Sequence, residues 1–179
     1  MKVLFPASVI TQRVRELGKK ITSEYQGKEL YIVAVLKGGF MFASDLVRCV
    51  DLPIRIEFVR LSSYGCSDSP QHEVRILSDI EGTITGRHVL IVDDIMDTGH
   101  SLVAFKKHLE GKNPASVKIC TMIDKTCRRE GPIRPDYCGF RIEDGFIVGY
   151  GLDYAEDYRA LPDIYVIEPA DSQREEEHP

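Results

Sequence analysis

Two uninterrupted apolar runs, LYIVAVL (Leu30–Leu36) and the VLIV of HVLIVDD (residues 88–94), constrain this chain more than any other feature. A strand with one wet face alternates apolar and polar residues. A strand-length run without alternation is covered on both faces, as in a parallel sheet. The intervening patterns supply the covers. Ile10, Val14, Leu17 and Ile21 recur at helical spacing after Ser8, a suitable N-cap, so an amphipathic helix is expected to open the chain. GFMFASDLVRCV reads as a second helix, and Leu102, Phe105 and Leu109 place a third after Gly99, closed by Gly111 and Pro114. IRIEFVRLSS (residues 54–63), EVRILSDI and SVKICTMID (residues 116–124) read as further strands, and residues 82–87 as a turn. Strand alternating with helix predicts an α/β fold with a mainly parallel sheet flanked by helices and ligands at the carboxyl ends of the strands. Residues 134–169, rich in Gly, Pro and Tyr, read as a small C-terminal cap of short strands and loops rather than another βα unit.

With 179 residues, 43% of them hydrophobic, the chain can bury one core and not two, so residues 1–170 are expected to form a single domain. The charged tail, residues 171–179, is expected to be disordered. A net charge of −5 recruits neither a nucleic-acid backbone nor an anionic membrane, so any phosphate site has to be local. No run approaches the ~20 apolar residues of a membrane span, and Pro6 interrupts the only N-terminal apolar stretch, leaving no signal peptide. Five cysteines without a CxxC pair suit neither a disulfide framework nor structural zinc; reduced thiols in the cytoplasm are the simplest reading, with Cys66 the most exposed. The five histidines show no ligand spacing.

The chemistry concentrates in VDDIMDTGHS, where Asp93, Asp94 and Asp97 fall within five residues at a strand end. One such Asp is ordinarily a cap or a turn residue. Three change the balance. Asp97-Thr98-Gly99-His100-Ser101 lies at a strand-to-helix turn, where free N–H groups, the positive helix end and two hydroxyls can hold a phosphate. Asp93 and Asp94 then face something other than phosphate, and the vicinal hydroxyls of a sugar match their acceptors. The pattern suits a sugar phosphate. YGCSDSPQHE (residues 64–73) reads as a mobile loop.

This run resembles the phosphoribosyl-pyrophosphate motif of type I phosphoribosyltransferases, whose fold is a parallel sheet flanked by helices with a small hood. Leu36-Lys37-Gly38-Gly39, Ser63-Tyr64, Asp124-Lys125 and Phe146-Ile147-Val148-Gly149-Tyr150-Gly151-Leu152-Asp153-Tyr154 through Tyr158-Arg159 are similar, in order and spacing, to the hypoxanthine-guanine branch of that family. The resemblance covers nearly all of the chain except the tail. It implies transfer of a phosphoribosyl group to N9 of a 6-oxopurine. It assigns the 5′-phosphate to Asp97, Thr98, Gly99, His100 and Ser101, with the ribose hydroxyls on Asp93 and Asp94. Asp97 becomes the general acid/base near N7, Lys125 the donor to O6, Phe146 the stacking ring, and Ile147 a backbone reader of the base edge. Lys37 and Gly38 form the pyrophosphate loop, preceded by a non-proline cis peptide. Arg159 binds pyrophosphate, and Tyr64 reaches it from a lid at residues 62–73. Mg²⁺ is the implied cofactor, with Asp93, Asp94 and Asp153 at or near it, and a homodimer or homotetramer the implied assembly. Asp93 stands where many members carry Glu, and Ser101 where others carry Thr. Without the resemblance, Phe146 reads as a core residue, Lys125 as a solvated one and Arg159 as an exposed partner of Glu156 or Asp157.

Other readings fit less well. Asp-Thr-Gly also occurs in aspartic proteases, which need a second copy in an all-β frame. The chain has no GxxxxGK[ST] and no GxGxxG. A nucleotide- and RNA-binding regulator on the same fold is expected to show a basic face, and this chain is net acidic, with basic residues gathered only in pairs such as Arg128-Arg129. A xanthine-preferring variant stays open at this point.

Overall fold

The computed structural model describes residues 1–64 and 73–167. Its elements run β1 (Lys2–Phe5), α1 (Ala7–Glu24), β2 (Leu30–Leu36), α2 (Phe40–Val47), β3 (Ile54–Tyr64), β4 (Glu73–Ser78), β5 (His88–Met96), α3 (His100–Glu110), β6 (Ser116–Lys125), β7 (Tyr137–Ile142), β8 (Phe146–Val148) and β9 (Ile164–Ile167). Six strands form the main sheet in the order β4-β3-β2-β5-β6-β7, parallel throughout except for β3 against β4. The predicted class holds.

Period-2 geometry explains the two apolar runs. On β2, Leu30, Ile32 and Ala34 pack with α1 and α2, while Tyr31, Val33 and Val35 face the layer containing α3. On β5, Leu90 and Val92 join the first layer, Val89 and Ile91 the second. Both strands are therefore apolar at successive positions. α1 buries Ile10, Val14, Leu17 and Ile21, the stripe expected from spacing.

Three expectations need correction. The chain opens with a strand, β1, too short and too close to Pro6 to show periodicity; it pairs with β9 to form a three-stranded antiparallel sheet, β1-β9-β8. The small cap thus draws one strand from the N-terminus, and Phe5 stacks on Phe140 of the main sheet at 4.0 Å. Ser8 is not the N-cap of α1. Pro6 takes that position, and the Asp163 carboxylate accepts the Ala7 N–H at 2.6 Å from the far end of the chain. Finally, β7 lies within the segment read as cap but is a parallel edge strand of the main sheet, reached from β6 without a crossover helix. The predicted lid, apart from its ends, and the tail lie outside the described residues. No described helix is long and apolar enough to cross a membrane.

Candidate active site

β5 carries the acids to the carboxyl edge of the sheet, and the chain turns through Asp97, Thr98 and Gly99 into α3. Gly99 makes that turn at φ 90°, a left-handed conformation that side chains resist, and an added Cβ would also meet Ile133 at 2.9 Å. The N-cap Gly99 has no side chain to cap α3, no acid occupies its first turn, and Thr98 Oγ1 reaches only the His100 N–H, at 3.5 Å, so the amides that follow are available to an anion. A cavity of about 420 Å³ opens here, lined by Asp93, Ile95, Met96, Asp97 through Leu102, Arg128 and Val74. The structure thus gathers Asp93, Asp97, Thr98, Gly99, His100 and Ser101 into one hollow. The His100 ring turns to Glu130 at 2.7 Å, leaving its backbone as the contribution to the turn.

The paired acids are half-buried and face each other's charge. Asp93 Oδ1 accepts the Asp94 N–H at 3.0 Å, and Asp94 Oδ1 accepts the Ile95 N–H at 2.9 Å. Burial, then the neighbouring Asp94 charge, pushes the Asp93 carboxyl well above the usual range. Burial also raises Asp94, opposed by its hydrogen bond with Asp93, by backbone amides and by Arg159. Asp97 differs. Its Oδ2 accepts from Arg128 Nη1 at 3.2 Å, while Oδ1 is buried with no partner among the described residues.

The turn after β2 presses on this pair. A Cβ on Gly38 would sit 1.7 Å from Asp94 Oδ2, so a larger residue would displace the carboxylate that the loop now lies against. The Leu36–Lys37 peptide is cis, as the resemblance implied. Lys37 Nζ meets Glu156 at 2.8 Å. Arg159 bonds Asp153 at 2.8 Å and the Gly151 carbonyl at 2.8 Å, and its Nε is buried without a partner among the described residues. Asp153 is doubly engaged, since its second oxygen accepts the Glu156 N–H.

A third group stands at the end of β6. Lys125 is buried, and its Nζ reaches Asp144 at 3.1 Å, two residues before Phe146. Phe146 is 49% exposed, a large ring left uncovered except for an edge contact with Tyr154 at 5.2 Å. Ile147 is buried, and β8 is an edge strand whose outer backbone groups are unpaired within its sheet. Tyr64 ends β3, next to the residues not described.

Sequence reasoning passed over Arg129, which joins these groups. Its guanidinium donates to the carbonyls of Asp97 (2.8 Å), Met96 (2.9 Å), Ile133 (2.8 Å) and Lys125 (3.1 Å), and to the Asp124 carboxylate. Asp124 is 1% exposed and also accepts from Arg141. A buried Lys or Arg is rare without pairing, but nothing local in CRREG marks which arginine turns inward. Among the cysteines, Cys127 is exposed; Cys66 lies outside the described residues.

Comparison with known proteins agrees with this geometry. The family model for the phosphoribosyl transferase domain matches residues 4–155. The chain is 46% identical to the hypoxanthine phosphoribosyltransferase of Haemophilus influenzae over 162 residues, 89% of this chain and 90% of that one. It is 41% identical to the hypoxanthine-guanine phosphoribosyltransferase of Bacillus subtilis over 169 residues, 94% of each. The crystal structure of a hypoxanthine phosphoribosyltransferase from Staphylococcus aureus superposes with a TM-score of 0.91 at 40% identity, covering 95% of this chain and 92% of that one. With the acid-lined turn after β5, the glycine loop after β2 and the exposed ring of β8 in one fold, the chain belongs to the phosphoribosyl transferase family.

Proposed function

We propose that the protein transfers the 5-phosphoribosyl group of phosphoribosyl pyrophosphate to N9 of hypoxanthine, and of guanine, releasing the nucleoside monophosphate and pyrophosphate in purine salvage. The observation that carries this reading is the hollow after β5, where Asp93, Asp97 and the start of α3 share one wall. The turn from Asp97 to Ser101 holds the 5′-phosphate, and Asp93 and Asp94 accept from the ribose hydroxyls.

As the bond from C1′ to pyrophosphate breaks, positive charge grows on the ribose and negative charge on the leaving group. Acids at the sugar and cations at the pyrophosphate stabilise both ends. Lys37 and Arg159 supply the cations, and the unpartnered Arg159 Nε is a donor awaiting an acceptor. Asp97, beside N7, takes the ring proton that the purine releases; its unpartnered Oδ1 is the acceptor available for it. Lys125 donates to O6, Phe146 stacks on the purine plane, and the edge backbone at Ile147 reads the base. The segment from residue 62 to 73, with Tyr64, is assigned as a lid by the resemblance alone.

The acid pair also fits Mg²⁺, whose ligands are hard oxygens. Among the described residues no three His, Cys, Asp or Glu side chains are grouped to hold a metal by themselves, so Asp93 and Asp94 would share the ion with substrate oxygens and water. Asp153 would support it from behind Arg159. When bound, the ion neutralises charge developing on the leaving group. A homodimer or homotetramer and a cytoplasmic location complete the proposal; Ile56 and Phe58, exposed on one face of β3, are apolar surface that self-association would cover.

A spectrophotometric assay with phosphoribosyl pyrophosphate, Mg²⁺ and each of hypoxanthine, guanine, xanthine and adenine tests the function. Turnover of hypoxanthine and guanine and none of adenine is expected; no turnover of any 6-oxopurine would overturn it.

A further inference from the structure

The two cations assigned to pyrophosphate are bridged by an acid of the chain itself. Glu156 Oε2 lies 2.8 Å from Lys37 Nζ and 3.4 Å from Arg159 Nη2, so one carboxylate oxygen faces both. Glu156 belongs to a turn that non-glycine residues rarely form: Ala155, Glu156 and Tyr158 have φ of 50°, 73° and 71°. Its N–H is tied to Asp153, the residue that also orients Arg159. The arrangement puts an anion between the pyrophosphate loop and the arginine opposite it. The Lys37 contact is exposed, its side chains 50% and 64% accessible, and the Arg159 contact is long, at 3.4 Å from an arginine 20% accessible, so both are weak enough for a multiply charged ligand to displace.

We propose that the Glu156 carboxylate is an intramolecular competitor for pyrophosphate, holding Lys37 and Arg159 in the empty enzyme and reclaiming them as pyrophosphate leaves. This rests on the reading of Lys37 and Arg159 as pyrophosphate partners. The competitor keeps the two cations in place at the cost of some affinity, and it lowers the barrier to release because the departing anion is exchanged for another. Asp157, adjacent and exposed, carries the same charge without sharing either contact, so it reports the general electrostatic effect alone.

The test is isothermal titration of inorganic pyrophosphate with Mg²⁺ into the full-length protein and its Glu156→Gln, Asp157→Asn and Arg159→Met variants. Glu156→Gln is expected to tighten binding by about three- to fivefold, the range open to an exposed ion pair, and to slow pyrophosphate release in stopped flow. Asp157→Asn is expected to change affinity by less than about twofold, since screening weakens a charge without direct contact. In the Lys37→Met background the gain from Glu156→Gln should shrink, as a coupled pair requires. Glu156→Gln binding no tighter than Asp157→Asn, or weaker than the parent, overturns the proposal while loss of affinity in Arg159→Met leaves the pyrophosphate assignment standing. Unchanged affinity in Arg159→Met overturns both.

Discussion

Arg129 Nε donates to the backbone carbonyl of Asp97 at 2.8 Å, and the same guanidinium holds the Asp124 carboxylate at the end of β6. One buried side chain therefore fixes the separation of two strand ends, and with them the acid at the turn into α3 and the lysine that follows Asp124.

Removing that clamp leaves Asp124, 1% exposed, with Arg141 as its remaining cation. Breaking a buried pair from one side costs about 3–5 kcal/mol. In a chain of this size each kcal/mol moves Tm by about 2–4 °C. Arg129→Met should lower Tm by more than about 6 °C in a thermal melt. Arg141→Met, on a side chain 59% exposed, should cost no more than about 1 kcal/mol. Equal losses would contradict the clamp.

The raised carboxyl of Asp93 sets a pH dependence of stability. Its folded pKa lies above the unfolded value of about 3.9, so the folded state binds the proton more tightly. Stability from this group is complete below about pH 4 and is lost as pH rises toward the folded pKa. Asp93→Asn removes that loss. Its Tm advantage over the parent should be small near pH 4 and grow toward neutrality, while activity falls. A gap that narrows with rising pH would show that Asp93 is not strained by burial.

Lys125→Ala should raise KM for hypoxanthine by about tenfold or more, as expected for a lost charged hydrogen bond, with a smaller change in KM for phosphoribosyl pyrophosphate. Steady-state kinetics with each substrate varied separately checks the ranking. The reverse order would remove Lys125 from the base site.

The parts legible in the sequence were those where one local pattern carried the information. The runs of β2 and β5 are apolar at successive positions because layers cover both faces, and the three acids are contiguous with one of them. Long-range determinants were hidden. β1 is four residues that make sense only beside β9, and the cap on α1 comes from Asp163, 156 positions away. Arg129 is indistinguishable from Arg128 by type, yet one carries the strand ends and the other is 62% exposed on its side chain. Among the candidate residues, Asp93 and Asp97 line one hollow and Gly38 lies against Asp94. The bridge from Lys37 to Glu156 depended on a turn whose positive φ values no residue type announced.

Asp97→Asn keeps the shape of the turn and removes the carboxylate base. Its kcat should fall by about 10² or more, with nucleoside monophosphate affinity nearly unchanged, as measured by turnover and by calorimetry. Full turnover would exclude Asp97 from proton transfer.

The most direct measurement is a crystal structure of the protein with a 6-oxopurine nucleoside monophosphate. The phosphate should lie within hydrogen-bond distance of the backbone amides between Thr98 and Ser101, with the ribose hydroxyls on Asp93 and Asp94 and the base against Phe146. A nucleotide bound elsewhere, with the turn after β5 vacant, would contradict the account.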